Sequence, residues 1–565
     1  MEKAKNKKIL LGNEAIVRGA LESGVQFVST YPGTPASEIG NGFSQLAKKY
    51  GVYSERSEKQ GSSERSYEGP YFEFSTNEKV ALEAGIGASF SGLKTLVAMK
   101  NFGLNVALDP LIPFCYTGSK GPFVLITADD PNCWSSAQSE ENTRAFAYLA
   151  HIPMLEPSDP QECKDFVKSA FEISEKFKTP VIIRTTTRVA HQSASVLLGE
   201  VPKISYQGEF VKDFKRFVTM PPRVLEMKKE LLKKIEDIRN FAEKSKINQV
   251  SGIGKKKAKV GIITSGVSYL HAMEAMQDLN LDLPILKLGF FYPLPEEKIK
   301  SFIKNLKKVL IVEELEPYLE KEIDRLARNV NAKLQIFGKN YLPEIGEMRP
   351  EYVTAALAKI TNKKYTLGAS YQIPTYKHIP RFCPNCPYWL VFPTIKKAVP
   401  ENTIFGGDIG CYMLAGLPPN QAQDYLSCMG SSFGIAHGIS KASGGKQKVI
   451  AFIGDSTFFH VGIPALINTV FNKSNPIFVI LDNQTTAMTG HQTNPGIGKT
   501  GMSEPTYPIK IEDVVQAVGV KNLKVLDPAN SEELTATVKE FLTKEEVSVI
   551  IARHMCALLV QRQKN

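Results

Sequence analysis

The sequence has no apolar run that approaches the roughly 20 residues a membrane-spanning helix needs. Its start, MEKAKNKKIL, is charged but lacks an apolar stretch and a small-residue cleavage site, so we expect no signal peptide. Cysteine is scarce, with 8 in 565 residues, and without a secretion signal this argues against a disulfide framework. These absences predict a cytoplasmic protein that does not span a membrane.

Acidic residues are outnumbered: 69 Lys and Arg against 58 Asp and Glu give a net charge of +11. Such a balance invites a nucleic-acid hypothesis, but the lysines are scattered and dense mainly at 227–246 and 254–259. In the first of these segments acids are interleaved at helical spacing, as in a solvated helix. We therefore predict an exposed charged helix and no nucleic-acid partner.

Strand-like apolar runs alternate with helical stretches in three blocks of the chain. This alternation is typical of an α/β protein whose parallel sheets carry helices on both faces. We predict three parallel-sheet α/β domains. Their bounds are 1–204 for the first domain, 205–257 for a basic helical linker, 258–362 for a smaller second domain, 363–379 for a second linker and 380–565 for the third domain.

Two consecutive apolar strands of the third domain end in oxygen-bearing residues. Asp455 follows VIAFIG, and Asn483 follows PIFVILD 28 positions later. Parallel strands open at the same edge of a sheet, so both side chains should face one point. Carboxylate and amide oxygens suit Mg²⁺, and Gly454 lets the chain approach phosphate closely. The alternative is that Asp455 only caps a helix and Asn483 sits in a turn.

The GDS…DN pair resembles the thiamine diphosphate motif, in which Gly-Asp is followed by a downstream Asn. By that resemblance Asp455, Asn483 and the carbonyl of Thr485 ligate Mg²⁺, and Ser456 stands where glycine is usual. Upstream, CMGSSFGIAHGIS resembles the segment that lies against the cofactor. Met429 then matches the bulky residue that holds thiamine bent, with an ordinary core methionine as the alternative.

Thiamine chemistry also needs a dry carboxylate that activates the aminopyrimidine ring. The segment STNEKVALEAGIGASFSG in the first domain offers Glu78 at the start of a helix. Glu78 matches the activating residue of the pyrimidine-binding domain. The alternative is a glutamate that only stabilises the helix N-terminus.

Longer segments carry a more specific resemblance. LLGNEAIVRGALESGVQFVSTYPGTPASEI, STNEKVALEAG, MKNFGLNVALDPL and ADDP…PSDPQE together resemble the alpha subunits of indolepyruvate:ferredoxin oxidoreductases. The resemblance implies thiamine-diphosphate-binding folds for the first and third domains and a transketolase C-terminal-like fold for the second. In the wider 2-oxoacid:ferredoxin oxidoreductase superfamily, the threonine of the YPGTP-type loop reaches the substrate. Thr34 is therefore the substrate candidate, with a turn threonine as the alternative.

The segment RFCPNCPYW contains a C-x-x-C pair, Cys383 and Cys386, which alone fits zinc, a redox dithiol or no function. A second C-x-x-C is absent from the sequence, which weakens the zinc interpretation. The resemblance implies one [4Fe–4S] cluster held by Cys383, Cys386, Cys411 and Cys556, since such a cluster requires four thiolates. Cys428 is the rival fourth ligand.

The sequence departs from that family in two places. The family's alpha subunit continues past CAL into a ferredoxin-like domain with two further clusters, whereas this sequence ends at Asn565. We therefore expect electrons to leave through a separate ferredoxin or ferredoxin-like chain. The family also tends to read Cys-Pro-His-Arg where this chain has Tyr388 and Trp389 after Cys-Pro.

Three histidines lie near the predicted cofactor segments. His460 follows the Asp455 loop and His491 follows TAMTG, so both are candidates for proton transfer, and we favour His491 as the catalytic one. His437 lies among small residues, and we expect it to be structural.

The resemblance thus implies an alpha-type subunit of a thiamine-diphosphate- and Mg²⁺-dependent enzyme. Its reaction would be oxidative decarboxylation of an aryl or related 2-oxoacid, of indolepyruvate or phenylpyruvate type, to an acyl-CoA, with electrons passed to ferredoxin. A smaller beta-type subunit would complete a dimer of heterodimers. The alternatives are a non-oxidative thiamine-dependent 2-oxoacid decarboxylase or carboligase without iron, and a catalytically silent scaffold. Intact Glu78, Asp455 and Asn483 argue against the scaffold.

Overall fold

Strands and helices alternate along most of the chain, as the sequence predicts. The structure is a computed structural model, and it describes residues 6–49, 69–204, 208–252, 259–365 and 380–564. Residues 205–207, 253–257 and 366–379 of the two predicted linkers lie outside the described residues. The chain divides into two units, residues 1–371 and 372–565. In the part of the chain that the structure describes, no helix is long and apolar enough to cross a membrane.

The first unit holds fourteen described strands and thirteen described helices. The strands are β1 (Lys7–Leu11), β2 (Phe27–Thr30), β3 (Tyr71–Phe74), β4 (Thr95–Lys100), β5 (Phe123–Asp129), β6 (Met154–Leu155), β7 (Val181–Thr186), β8 (Ser193–Leu197), β9 (Gln249–Ser251), β10 (Val260–Ser265), β11 (Ile285–Leu288), β12 (Phe290–Tyr292), β13 (Lys308–Val312) and β14 (Gln335–Phe337). The helices are α1 (Gly12–Glu22), α2 (Ser37–Lys49), α3 (Glu78–Phe90), α4 (Asn101–Thr117), α5 (Arg144–Ala150), α6 (Pro160–Phe177), α7 (Thr187–His191), α8 (Phe214–Phe217), α9 (Arg223–Lys244), α10 (Ser268–Asp278), α11 (Glu296–Ile303), α12 (Tyr318–Val330) and α13 (Pro350–Thr361).

Two larger sheets and one strand pair organise these elements. A seven-stranded sheet has the order β12-β6-β7-β5-β4-β2-β3, and all its pairs are parallel except β12 with β6. A five-stranded sheet has the order β14-β13-β10-β11-β9, with only β9 antiparallel. Strands β1 and β8 form a separate antiparallel pair. The central strands are buried on both faces, as parallel sheets covered by helices require.

The charged segment at 227–246 forms most of helix α9, as its charge spacing predicts. The helix is not solvated on every side. Its face formed by Met227, Leu231, Ile235 and Ile238 is buried, and the helix contacts α4 and α11. The segment is therefore an amphipathic helix of the first unit, and its lysines cover the outer face.

A buried ion network joins the carboxyl ends of the two larger sheets. The guanidinium of Arg144 contacts Glu156 at 2.7 Å, Glu313 at 3.2 Å and the Ser265 hydroxyl at 2.7 Å. Arg184 contacts Glu156 at 3.2 Å and Asp129 at 2.7 Å. Each charged side chain of the network is at most 2% exposed. Buried charges need such pairing, so the network fixes the two sheets of this unit relative to each other.

The second unit has a single described sheet. Its strands are β15 (Ile404–Gly406), β16 (Val449–Gly454), β17 (Ile477–Asp482), β18 (Asn522–Leu526) and β19 (Ser548–Arg553). Its helices are α14 (Tyr388–Ala398), α15 (Ser431–Ala442), α16 (Asp455–Thr457), α17 (Ile463–Phe471), α18 (Ile511–Ala517), α19 (Ser531–Phe541) and α20 (Ala557–Lys564). The sheet has the order β15-β16-β17-β19-β18, and every pair is parallel.

Strands β16, β17 and β19 are almost entirely apolar and lie at the centre of this sheet. Apolar residues on its two faces form two separate cores, one against α14 and α19 and the other against α15 and α17. A π-helical turn, Phe458–Gly462, links α16 to α17, and such turns are frequent at functional sites. The predicted α/β class with parallel sheets is confirmed, and the domain limits within the first unit stay predictions.

Candidate active site

The ends of β16 and β17 bring Asp455 and Asn483 to one edge of the sheet. Gly454 pairs with Leu481 in the ladder, so the residues that follow each strand emerge side by side. Asp455 is 4% exposed and Asn483 is 8% exposed. Two polar side chains so far from water must bind a partner, and the carboxyl edge of a parallel sheet is where ligands bind.

Among the described residues, the carboxylate of Asp455 is held by amides and not by a cation. It accepts hydrogen bonds from the backbone N–H of Ser456 at 2.8 Å and from Nδ2 of Asn494 at 3.0 Å. Burial, together with the nearby charge of Asp482, raises the pKa of Asp455 to about 7. A bound Mg²⁺ would supply the missing positive charge, so the donor set fits that ion. Asn494 was missed by the sequence reasoning, because TNPG reads only as a turn.

Asn483 presents its two amide ends to different partners. Its Nδ2 donates to the hydroxyl of Tyr388 at 3.0 Å, and its Oδ1 accepts the backbone N–H of Thr485 at 3.2 Å. Tyr388 and Thr485 are each 3% exposed. The predicted third ligand residue, Thr485, therefore lies next to the predicted second one.

The segment with Met429 is fixed by a buried carboxylate that the sequence reasoning also missed. Asp408 is fully buried and accepts the backbone N–H groups of Gly430 at 2.7 Å and Ser432 at 3.0 Å. Gly430 has φ of 82°, a left-handed conformation that favours glycine, and its Cα lies against Val461. Met429 itself is half-buried. The segment is therefore held rigidly at the N-terminus of α15, with Met429 directly before the turn.

Four of the five C-terminal cysteines lie together. Burial, together with the neighbouring thiols of Cys386, Cys556 and Cys383, raises the pKa of Cys411 to about 12. Burial likewise raises the pKa of Cys386 to about 11, with Cys383 and Cys556 again among its neighbours. Cys428 is exposed and is absent from both sets of neighbours. The set that the structure groups is thus the set that the resemblance implied.

The cysteine group adjoins the sheet edge at which Asp455 and Asn483 lie. The backbone N–H of Cys556 donates to the carbonyl of Asn483 at 3.1 Å, and Tyr388 follows Cys386 by two residues. Throughout the described ranges, however, no group of three or more His, Cys, Asp and Glu side chains is arranged to hold a metal ion. Four cysteines suit a [4Fe–4S] cluster in number and chemistry, and the predicted Mg²⁺ set combines one carboxylate with an amide and a carbonyl oxygen.

The three histidines have different surroundings. His491 has a φ of 66°, and its Nδ1 is buried without a hydrogen-bond partner among the described residues. Burial lowers its pKa, and Arg562 adds to the effect, so the ring is neutral near pH 7. His460 is 6% exposed in the π-helical turn after Asp455. His437 lies on α15 and contacts the Ser474 hydroxyl at 2.8 Å in the loop before β17, as expected of a structural residue.

Glu78 begins α3 in the first unit, as predicted, and is 7% exposed. Asn77 caps this helix by accepting the N–H of Val80 at 2.8 Å. Glu78 lies against the first turn of α4: a Cβ on Gly103 would come within 2.5 Å of its Cγ and 2.9 Å of its Oε1. The carboxylate is therefore dry and tightly enclosed, as an activating residue needs to be.

Thr34 lies in the loop between β2 and α2, at the carboxyl edge of the seven-stranded sheet. Its Oγ1 is 3.4 Å from the hydroxyl of Ser37, and its carbonyl oxygen is 3.1 Å from the hydroxyl of Ser135. Asn13 anchors the same loop by donating to the carbonyl of Pro35 at 2.7 Å. The predicted substrate residue thus lies in a loop fixed from two sides.

Comparison with known proteins relates the segments that contain Glu78 and Asp455 to the same class of enzyme. Residues 18–246 match the family model "Pyruvate flavodoxin/ferredoxin oxidoreductase, thiamine diP-bdg", and residues 408–552 match "Thiamine pyrophosphate enzyme, C-terminal TPP binding domain". Residues 250–363 match "Indolepyruvate oxidoreductase domain". The fold and the matches define a thiamine-diphosphate-dependent 2-oxoacid oxidoreductase, and thiamine-diphosphate-binding domains occupy the parts of the chain in which Glu78 and Asp455 lie.

Three curated relatives, each named "Indolepyruvate oxidoreductase subunit IorA", are similar over nearly the whole chain. The protein of Methanothermobacter thermautotrophicus is 42% identical, over 98% of this chain and 87% of its own length. That of Pyrococcus horikoshii is 42% identical over 99% and 87%, and that of Archaeoglobus fulgidus is 39% identical over 99% and 88%. The chain belongs to the family of indolepyruvate oxidoreductase A subunits. The family resemblance found in the sequence is thereby confirmed.

Proposed function

We propose that this protein is the alpha-type subunit of an enzyme that oxidatively decarboxylates aryl 2-oxoacids, of the indolepyruvate or phenylpyruvate type, to acyl-CoA. One [4Fe–4S] cluster would accept the electrons from the substrate one at a time and pass them to ferredoxin. The relatives' name, indolepyruvate oxidoreductase, supports the aryl substrate class. Oxidation to a thioester requires that two electrons leave the substrate, so an acceptor is needed close to the reacting carbon.

Four cysteines are grouped beside the sheet edge of Asp455 and Asn483. This grouping supports an oxidative over a non-oxidative reaction. Cys386 and Cys411 each have Cys383 and Cys556 among their neighbours, and Cys556 is hydrogen-bonded to the backbone of Asn483. A decarboxylase or carboligase has no use for a thiol cluster at this place. The thiols of Cys386 and Cys411, whose pKa values are raised by burial, are poor free nucleophiles, but they become thiolates when iron binds.

Thiamine diphosphate, when bound, supplies an acceptor for the electron pair that is released as CO₂ departs. Glu78 would hold a proton at the aminopyrimidine ring, because its enclosed carboxylate has little access to water. Asp455, Asn483 and the carbonyl of Thr485 would hold Mg²⁺, with Gly454 and Ser456 lying against the diphosphate. These assignments use groups that the strand ends already orient.

Three further residues would act on the thiamine or the substrate. Met429 would support the bent thiamine, Thr34 would orient the 2-oxoacid through its hydroxyl, and His491 would move a proton at the reacting centre. The neutral ring of His491 and its unpartnered buried Nδ1 are compatible with that role.

The proposal extends to partners. The relatives are named as subunits, which implies a companion chain, and we propose a smaller beta-type subunit in a dimer of heterodimers. CoA would accept the acyl group, and a ferredoxin or ferredoxin-like chain would accept the electrons. A cytoplasmic location is part of the proposal, because thiolate ligands stay reduced in that compartment.

Iron and acid-labile sulfide, measured on protein purified without oxygen, test this function. We expect about four irons and four sulfides per chain and a broad visible absorption band. Cys556→Ser should lose most of the iron, whereas Cys428→Ser, which replaces the cysteine outside the group, should keep it. Protein that binds thiamine diphosphate but contains no iron after anaerobic handling would overturn the oxidative mechanism in favour of non-oxidative decarboxylation.

A further inference from the structure

Lys100 lies directly beneath the predicted substrate loop. It is the last residue of β4, at the same sheet edge as Thr34. A Cβ on Gly33 would come within 2.9 Å of Lys100 Cβ, so the YPGTP loop packs on the lysine side chain. The ammonium donates to the carbonyl of Ser135 at 3.2 Å, and the Ser135 hydroxyl is 3.1 Å from the carbonyl of Thr34. Lys100 and Thr34 therefore both contact Ser135 and lie at the same edge of the seven-stranded sheet.

The charge of Lys100 has no carboxylate partner among the described residues. The nearby acid is Asp130, and its oxygens already accept from Ser135 N–H at 2.8 Å, from the Ser135 hydroxyl at 2.9 Å, from Ser136 at 2.6 Å and from Thr187 at 2.6 Å. Burial lowers the pKa of Lys100 to about 8, although Asp130 and Cys133 partly offset the effect. Lys100 is half-buried, and its ammonium contacts a backbone carbonyl and no carboxylate among the described residues, so it can pair with an added anion.

A second polar side chain beside Lys100 also lacks a partner. Asn101 is the first residue of α4 and is 1% exposed, yet neither its Nδ2 nor its Oδ1 has a hydrogen-bond partner among the described residues. Two residues later, Gly103 lies against Glu78. The start of α4 thus contacts the substrate loop through Lys100 and the activating carboxylate through Gly103. Buried amides are rarely left unsatisfied, so an absent ligand is the expected partner.

We propose that Lys100 binds the carboxylate of the 2-oxoacid, and that the Asn101 amide is the second polar contact of that carboxylate. The inference rests on the proposed function, because it assumes that the substrate binds beside Thr34 and Glu78. Lys100 would pair with the carboxylate before CO₂ leaves and would lose that partner afterwards. Its contribution should therefore appear mainly in substrate binding and less in the chemical step.

Calorimetric titration of the thiamine-diphosphate-loaded protein with probes that cannot react measures the contribution of the carboxylate contact to binding, without turnover. The probes are 3-phenylpropanoate, which carries a carboxylate and cannot react, and 3-phenylpropan-1-ol, which lacks the carboxylate. Lys100→Met should weaken 3-phenylpropanoate binding at least about tenfold, as the loss of a charged hydrogen bond predicts, and leave the alcohol unaffected. Lys100→Arg should retain most of the binding. The KM for phenylpyruvate should rise by a similar factor in Lys100→Met, with little change in kcat.

Lys94→Met is the matched control. Lys94 lies at the other end of β4, where its ammonium donates to the carbonyl of Ser23 at 2.7 Å. This variant should bind both probes as the wild type does. Equal binding of 3-phenylpropanoate by wild type and Lys100→Met would overturn the inference, as would wild-type protein that does not prefer the carboxylate to the alcohol. If the protein contained no iron but still bound 3-phenylpropanoate in a way that depends on Lys100, the inference about Lys100 would stand. Only the proposed oxidation would then be overturned.

Discussion

The hydroxyl of Tyr388 accepts a hydrogen bond from Nδ2 of Asn483 at 3.0 Å, across 95 positions of sequence. The bond determines which end of the amide is used. Because Nδ2 is directed at Tyr388, Oδ1 is the end that stays on the side of Thr485, where a cation ligand is needed. Tyr388 stands just after the C-x-x-C pair, so one short segment supplies two of the grouped cysteines and orients a predicted Mg²⁺ ligand.

Replacing Tyr388 by Phe should weaken Mg²⁺-dependent binding of thiamine diphosphate. The change removes one oxygen and leaves a buried amide donor unsatisfied, which costs about 1–3 kcal/mol, equivalent to about 5- to 150-fold in affinity. The measurement is a Mg²⁺ titration at fixed thiamine diphosphate, followed by calorimetry. Tyr292→Phe, which removes a hydroxyl 3.3 Å from His151 in the other unit, is the control. An unchanged Mg²⁺ affinity in Tyr388→Phe would show that the bond does not orient Asn483.

Gly103→Ala should slow activation of the cofactor without unfolding the protein. The added methyl would lie 2.5 Å from Cγ of Glu78, so the carboxylate must move. A displaced general acid–base residue costs about a hundredfold in proton transfer. The rate of hydrogen–deuterium exchange at the thiazolium C2 of bound thiamine diphosphate, followed by NMR, measures this step directly.

Gly87→Ala in the neighbouring helix α3 is the control for that experiment. No described atom lies within 4 Å of the Cβ that it would add, so Glu78 stays where it is. Alanine in a helix should stabilise the protein by about 0.5–1 kcal/mol, with C2 exchange at the wild-type rate. If both variants exchanged at the wild-type rate, Gly103 would not be needed to position Glu78.

Catalytic efficiency with 2-oxoacids should fall as the pH rises above about 8. Burial lowers the pKa of Lys100 to about 8, against the opposing charges of Asp130 and Cys133, so the ammonium is present below that pH and lost above it. The profile of kcat/KM against pH reports groups of the free enzyme and is the quantity to measure. Lys100→Arg should abolish this alkaline limb, because a guanidinium stays charged. An identical limb in the arginine variant would assign the titration to another group.

Sequence patterns could predict which strand ends form the site, but not the side-chain contacts within it. Strand periodicity and the carboxyl-edge rule place Asp455 and Asn483 together, and the structure has them at neighbouring strand ends. Nothing in the sequence marks Tyr388 or Asn494 as their partners, because these contacts join segments that share no periodic signal. Arg144 stands in the polar segment SEENTRAF and would be expected at the surface, yet it is 1% exposed. Only the docking of a second sheet buries it.

The network around Arg144 should dominate the stability of the first unit. Burial alone would raise the pKa of Glu156, but Arg144 and Arg184 outweigh it and lower that pKa to about 2. A carboxylate with a lowered folded-state pKa contributes stability above its unfolded value of 4.5, and this stability is lost as the pH falls toward 2. Glu156→Gln should therefore destabilise the protein at pH 7 and flatten the acid dependence between these values.

The expected loss is about 3–5 kcal/mol, because the change leaves two buried guanidinium groups short of one negative charge. Thermal unfolding of wild type and Glu156→Gln, compared at pH 7 and pH 3, measures both effects. Arg325→Met removes the two ion pairs of a 53% exposed side chain and should cost less than about 1 kcal/mol. Equal losses in the two variants would mean that the buried network contributes no more than a surface pair, and that apolar packing holds the two sheets together.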